Sequence, residues 1–92
     1  MFESDAGEPI VYLAKVIVTL RKSILDPQGK AVHNALASLG MTGIDQVRIG
    51  KHIEMTIDVA NQQDAERVTQ DACRKLLANS VMEDFSFTIE KI

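Results

Sequence analysis

Ile44-Asp45-Gln46-Val47-Arg48-Ile49-Gly50-Lys51-His52-Ile53-Glu54-Met55-Thr56-Ile57-Asp58-Val59 is the stretch whose reading decides the fold of this chain. Apolar and polar residues alternate on both sides of Gly50, the period of a strand with one buried face. Two strands joined at the glycine follow from that reading, Ile44 to Ile49 and Ile53 to Val59, and parity fixes how they would meet. A two-residue turn at Gly50-Lys51 would set Ile49 on the side of His52 and Val47 on the side of Glu54. An odd loop, Gly50-Lys51-His52, instead pairs Ile49 with Ile53 and Val47 with Met55, collecting Val47, Ile49, Ile53, Met55 and Ile57 on one face. The odd loop is the expectation, at the cost of an unusual backbone conformation at His52.

Upstream, Tyr12 to Leu20 reads as a first strand with Val16, Val18 and Leu20 on one face and Lys15, Thr19 and Arg21 opposite, interrupted by the apolar Leu13 and Ile17. Asp26-Pro27 then opens a helix: Asp26 can accept from free N–H groups, and Pro27 at the first helical position gives up a donor that had no partner. Val32, Leu36 and Leu39, flanked by Ala31 and Ala35, form its apolar stripe down to Gly40 as the stop. Downstream, Asn61 with Asp64 three residues on starts a second helix. Its expected buried stripe is Ala65, Val68, Ala72, Leu76 and Leu77, with Cys73 beside it and Asn79 as a left-handed stop. A last strand runs from about Met82 to Ile89 with Phe85, Phe87 and Ile89 inward. The order strand, helix, strand, strand, helix, strand is the ferredoxin-like βαββαβ pattern. The expected fold is therefore α+β, a two-layer sandwich in which a four-stranded antiparallel sheet carries two helices on one face.

Ninety-two residues, 46% hydrophobic and 25% charged, make one small domain. A chain of this length buries only roughly 60–65% of the surface it exposes when unfolded, so its core is thin and a partner subunit is expected to help. One cysteine excludes an internal disulfide framework and suits a reducing compartment. The formal charge of −3 and the near absence of aromatic residues, with one Tyr, three Phe and no Trp, argue against nucleic-acid binding. The longest apolar run falls far short of a membrane span. Residues 1–10, acidic and without an apolar core, read as a flexible leader on a cytoplasmic protein, and 11–92 as the domain.

Candidate chemistry is sparse. His33 and His52 each lack a companion at metal-ligand spacing, and the ordinary readings are a structural histidine and an exposed loop residue. Cys73 reads as a small core residue rather than an activated thiolate. Glu83 and Asp84, adjacent in a strand, point to opposite faces. There is no phosphate-binding glycine loop, and Asp26 places negative charge on the helix end an anion would seek. No catalytic residue, cofactor site or metal site is assigned.

Topology adds a constellation. In the βαββαβ order the segments Asp26 to Gly29, Arg48 to His52 and Leu77 to Asp84 gather at one end of the sheet. Each is readable as caps and turns. Together they are equally readable as a polar surface for another protein, with Asp26, Gln28, Arg48, Lys51, Asn79 and Glu83 as candidate contact residues.

The same segments carry a family resemblance. Leu25-Asp26-Pro27-Gln28-Gly29 after a Val-rich strand, Val47-Arg48-Ile49-Gly50-Lys51, and Leu76-Leu77-Ala78-Asn79 followed by Val81 and Glu83-Asp84-Phe85 resemble PurS over some 80 residues from Tyr12 onward. PurS is the small subunit of the three-part phosphoribosylformylglycinamidine (FGAM) synthase of purine biosynthesis. The resemblance implies a chain that is not itself catalytic and that joins the synthetase subunit PurL to the glutaminase subunit PurQ. It implies that ATP and magnesium are held by the large partner subunit, that ammonia passes from PurQ to PurL, and that the chain self-associates to a dimer or tetramer. A rival reading is a free-standing ferredoxin-like regulatory module that binds a small metabolite at a dimer interface.

Overall fold

A computed structural model describes residues 11–92, and the expected leader, 1–10, lies outside the described residues. Three strands, β1 (Tyr12–Leu20), β2 (Gly50–Ile57) and β3 (Glu83–Lys91), and two helices, α1 (Pro27–Ser38) and α2 (Gln62–Ala72), follow in the order β1-α1-β2-α2-β3. The strands form one antiparallel sheet in the order β2-β1-β3. β1 lies at its centre, where its β-branched residues are flanked on both sides. Val16 stands opposite Ile53 on one side and Phe87 on the other.

One face of this sheet is the core. Tyr12, Ala14, Val16 and Val18 alternate inward along β1 and are buried, with Ile57 from β2 and Ala65, Cys73 and Ala78 from the region of α2. Ile53, Met55, Phe85 and Phe87 share that face but are only partly buried. Helix α2 covers the β1 and β3 side and leaves the β2 side thinly covered.

Helix α2 starts as expected, with the Asn61 side chain accepting from Asp64 N–H at 2.9 Å. Its buried stripe is different from the expected one: Ala65, Thr69 and Cys73 face the sheet, while Val68 and Leu76 are exposed. Thr69 is tolerated inside because its hydroxyl donates to the Ala65 carbonyl at 2.8 Å. After Ala72 the last turn, Cys73–Leu77, widens to a π-helix, with Ala78 N–H donating to the Cys73 carbonyl. The wider turn moves the next inward position from 76 to 77 and 78, so Leu76 is 83% exposed while Ala78 is buried. Asn79 is not a left-handed stop, since no residue other than glycine has positive φ among the described residues.

The larger correction is at Gly50. There is no hairpin: Gly50, Lys51 and His52 run straight through β2, paired with Thr19, Val18 and Ile17. Residues 41–49, which were expected to hold the second strand, belong to no strand, so the sheet has three strands rather than four. Gly50 is required for a different reason from a turn. A Cβ there would run into the Val18 carbonyl and the Thr19 side chain across the ladder.

Helix α1 is also displaced from its expected place. It ends at Ser38 with Leu39 as its cap, and Gly40 just beyond has the positive φ expected of a helix stop. It has at most marginal contact with the sheet, so its stripe is not a core: Val32 and Leu39 are exposed and Leu36 is half-buried. What holds the helix is the 41–49 segment, through a hydrogen bond of 2.9 Å between His33 Nε2 and the Ile44 carbonyl and a backbone bond from Met41 to Leu36. His33 is thus structural, as read from the sequence. The molecule measures 58 × 28 × 18 Å with a radius of gyration of 17.9 Å, against about 12 Å for a compact chain of this size. No helix among the described residues is long and apolar enough to cross a membrane.

Candidate functional site

The polar end of the sheet is built by two carboxylates that tie loops together. Asp26 precedes α1, and its two oxygens take different partners. Oδ1 accepts from Gly29 N–H at 3.0 Å, capping the helix, and Oδ2 accepts from Ile49 N–H at 2.8 Å, fastening the chain just before β2. These two N–H groups, with the Arg48 guanidinium nearby, hold the Asp26 carboxyl below its ordinary range. Gly29 is buried at this junction, and a Cβ there would meet the Val47 carbonyl and the Asp26 carboxylate. The sequence signal for this close approach is the glycine in the first turn of a helix, where other residues are better helix formers.

Glu83 is the second tie. Its Oε1 accepts from Asn79 N–H at 2.8 Å, while Oε2 lies 3.8 Å from Lys51 Nζ, and the side chain is 18% exposed. Asn79 Oδ1 accepts in turn from Val81 N–H at 2.9 Å, closing the turn that leads into β3. Arg21 reaches the same turn, with its side chain donating to the Ser80 carbonyl and lying 3.4 Å from Asp84. Sequence reasoning passed over Arg21, although its position directly after β1 is signal enough to place it at this end.

The six candidate residues are divided between two clefts and an exposed turn. Gln28, Lys51 and Glu83 line one cleft of about 190 Å³ with Val18, Leu20, Ile49 and Gly50. Asp26 and Arg48 line a neighbouring open cleft of about 670 Å³ between α1 and the 45–48 segment, with Lys22, Lys30 and His33 on its walls. Asn79 is exposed above Glu83. His52, expected in a loop, lies on the outer face of β2 with its Nε2 3.0 Å from Glu54 Oε2. Cys73 is fully buried, and desolvation pushes its thiol up from the ordinary range. Among the described residues no group of three or more His, Cys, Asp or Glu side chains is placed to hold a metal ion.

A small antiparallel α+β domain with a polar end assembled from caps, turns and ion pairs is the class of protein that this geometry defines. The family model for PurS, phosphoribosylformylglycinamidine (FGAM) synthase, matches residues 13–91. The PurS subunit of Mycobacterium leprae is 48% identical over 77 residues, which cover 84% of this chain and 94% of that one. The structure of Bacillus subtilis PurS superposes with a TM-score of 0.77 at 44% identity, covering 86% of this chain and 98% of that one. The same fold occurs at 23% identity in a structure of PurLQS from Thermotoga maritima, with a TM-score of 0.79 over 89% of this chain and 98% of that chain. The chain belongs to the PurS family, subunits of FGAM synthase.

Proposed function

We propose that this chain is the non-catalytic assembly subunit of a cytoplasmic FGAM synthase, joining the glutaminase PurQ to the synthetase PurL and assisting the passage of ammonia between them. In this reading ATP and magnesium are bound by the large partner subunit, which activates the glycinamide carbonyl oxygen of formylglycinamide ribonucleotide, the oxygen that the amidine nitrogen replaces. Ammonia released into bulk water would be protonated and would cease to be a nucleophile, so the two sites must be held against each other. A small, rigid bridge serves that purpose. The observation that carries the reading is the conjunction of family membership along 13–91 with the gathering of Asp26, Gln28, Arg48, Lys51, Asn79 and Glu83 at one polar end. We assign the contact surface for PurL and PurQ to that end. The four-stranded ferredoxin-like sheet belongs, in the same reading, to the self-associated subunit rather than to a single chain.

The test uses Gln28→Ala combined with Asn79→Ala, two exposed positions. The folded variant is expected to lose co-elution with PurL and PurQ in size exclusion and to lower glutamine-dependent synthase turnover. Unchanged assembly by a variant with native circular dichroism would remove these residues from the interface.

A further inference from the structure

The cleft between α1 and the 45–48 segment carries cations that the fold does not use. Lys22, Lys30 and Arg48 stand on its walls. The ion pairs among the described residues take Lys15, Arg21, Lys51, His52 and Arg67 as their basic partners, and none involves these three. Two other clefts differ in this respect. Arg21, in the cleft beside Cys73, is spent on Ser80 and Asp84, and Lys51, in the small cleft below Gln28, lies against Glu83.

The walls are fixed by bonds that leave the cations alone. Lys22 lies in a turn closed by Ile24 N–H donating to the Arg21 carbonyl at 2.9 Å, and Lys30 is in the first turn of α1, where its own N–H donates to the Asp26 carbonyl at 3.0 Å. Arg48 precedes Ile49, whose N–H Asp26 holds, and His33 Nε2 donates to the Ile44 carbonyl further along the same segment. Three separate segments thus present positive charge from a framework already ordered, which lowers the cost of binding. Asp26 shares the cleft, but its carboxylate is engaged by Gly29 and Ile49 N–H groups at the helix cap, so side chains rather than the helix end face a ligand. Asp45 is the second carboxylate of the cleft, exposed and outside any ion pair among the described residues.

Three cations with a free carboxylate near them suit a ligand that is anionic at one end and rich in hydroxyl groups at the other. A phosphate monoester carries about −1.5 to −2 charges at neutral pH; Arg48 can meet two of its oxygens with a planar fork and the lysines add point charges. Asp45 can accept from sugar hydroxyls, as acidic residues do in nucleotide sites, and the Asn34 and Gln46 amides offer both donors and acceptors. The volume of about 670 Å³ lies within the range of small-molecule sites, roughly 300–1,000 Å³, and exceeds what a bare phosphate fills.

We propose that this cleft binds a phosphorylated sugar, free or as part of a nucleotide, with its phosphate among Lys22, Lys30 and Arg48 and its hydroxyl groups on Asp45. The site is built by this chain alone and does not depend on the docking of PurL or PurQ. Arg48 is shared with the contact surface proposed above, so the lysines carry the test.

Isothermal titration of the full chain at low ionic strength, with inorganic phosphate, ribose 5-phosphate, adenosine 5′-monophosphate and adenosine, tests it. Ribose 5-phosphate is expected to bind at least about tenfold more tightly than inorganic phosphate, and adenosine to give no binding. Adenosine 5′-monophosphate binding more tightly than ribose 5-phosphate would assign the nucleotide, and binding less tightly the free sugar phosphate. Lys22→Ala and Lys30→Ala, both at exposed positions, are each expected to weaken ribose 5-phosphate roughly tenfold while melting like the parent. Lys75→Ala, exposed and outside the cleft, is expected to change nothing. Asp45→Asn is expected to keep inorganic phosphate and to lose the preference for ribose 5-phosphate. Absence of binding, inorganic phosphate bound as tightly as ribose 5-phosphate, or an equal loss from Lys75→Ala would overturn the proposal, and each leaves the docking of PurL and PurQ untouched.

Discussion

Val16→Ala and Leu76→Ala together ask which residues form the core. Val16 is fully buried at the centre of the sheet, against Ile53, Phe87, Cys73 and Ala78. The substitution removes two carbons, worth about 1.6 kcal/mol at ~0.8 kcal/mol each. A void of roughly 40 Å³ that the rigid three-strand ladder does not close adds about 1 kcal/mol. The expected loss is therefore about 2–3 kcal/mol, which is on the order of 8–20 °C in melting temperature for a domain of this size. Leu76→Ala removes three carbons, more apolar matter than Val16→Ala, yet Leu76 is 83% exposed beyond the π turn. Its expected effect is within about 0.5 kcal/mol. Urea unfolding of both variants and the parent, followed by circular dichroism at one protein concentration, measures the difference. If Leu76→Ala cost more than Val16→Ala, the helix would be packing the stripe that regular 3.6-residue periodicity predicts, and the account of the π turn would be refuted.

Two further outcomes follow from the titratable groups. The Asp26 carboxyl is depressed in the folded chain by the Gly29 and Ile49 N–H groups and by Arg48, so it stabilises the fold above its unfolded value of about 4, and that contribution is lost as pH falls through the lower folded value. Asp26→Asn, with one acceptor oxygen for two donors, is expected to melt below the parent at pH 7, with the gap closing below about pH 4; a gap that stays constant between pH 7 and pH 3 would exclude the ionised carboxylate as its source. Cys73, buried and with its thiol raised by desolvation, is expected to react with a disulfide reagent at pH 8 at least about a hundredfold more slowly than in urea, and rapid native labelling monitored by absorbance would contradict its place in the core.

Local signals located most of the elements because they are set within a few residues. Strand β1, the Asp26-Pro27 start of α1, Gly40 as its end, the Asn61 start of α2 and the inward Phe85-Phe87-Ile89 face of β3 each rest on a cap, a breaker or a period. The hairpin failed for a reason of principle. Parity puts Val47, Ile49, Ile53 and Met55 on one face both for an odd loop at Gly50 and for an unbroken extended run through it, so it does not choose between them. A glycine does not say whether it serves a turn or the close approach of a neighbouring strand, and Gly50 serves the second. In α2 the expected stripe assumed constant pitch, which the π turn at Cys73–Leu77 breaks. The candidate site was legible as a location because strand and helix ends fix which loops share an end of the sheet. Its inner wiring was not, since both the Asp26 to Ile49 and the Glu83 to Asn79 bonds join a side chain to a backbone group, which no pattern of residue types announces.

That wiring separates two kinds of residue at the polar end. Asp26 and Glu83 spend both carboxylate oxygens inside the chain, so they fix where α1, the segment before β2 and the turn before β3 stand relative to one another. Gln28 is carried outward on the parts so fixed, whereas Asn79, also exposed, helps to hold the turn through the bond that its Oδ1 accepts from Val81 N–H. A surface whose backbone is already held loses little conformational freedom when a partner closes over it, and more of the contact energy survives as affinity. Substitutions at the holding residues should therefore show first in stability and only through it in assembly. Substitution of Gln28 should show in assembly while the free subunit melts normally. In the proposed role of a bridge between PurQ and PurL this division would matter, because a joint that reorganised with each turnover would open the path along which ammonia is proposed to travel.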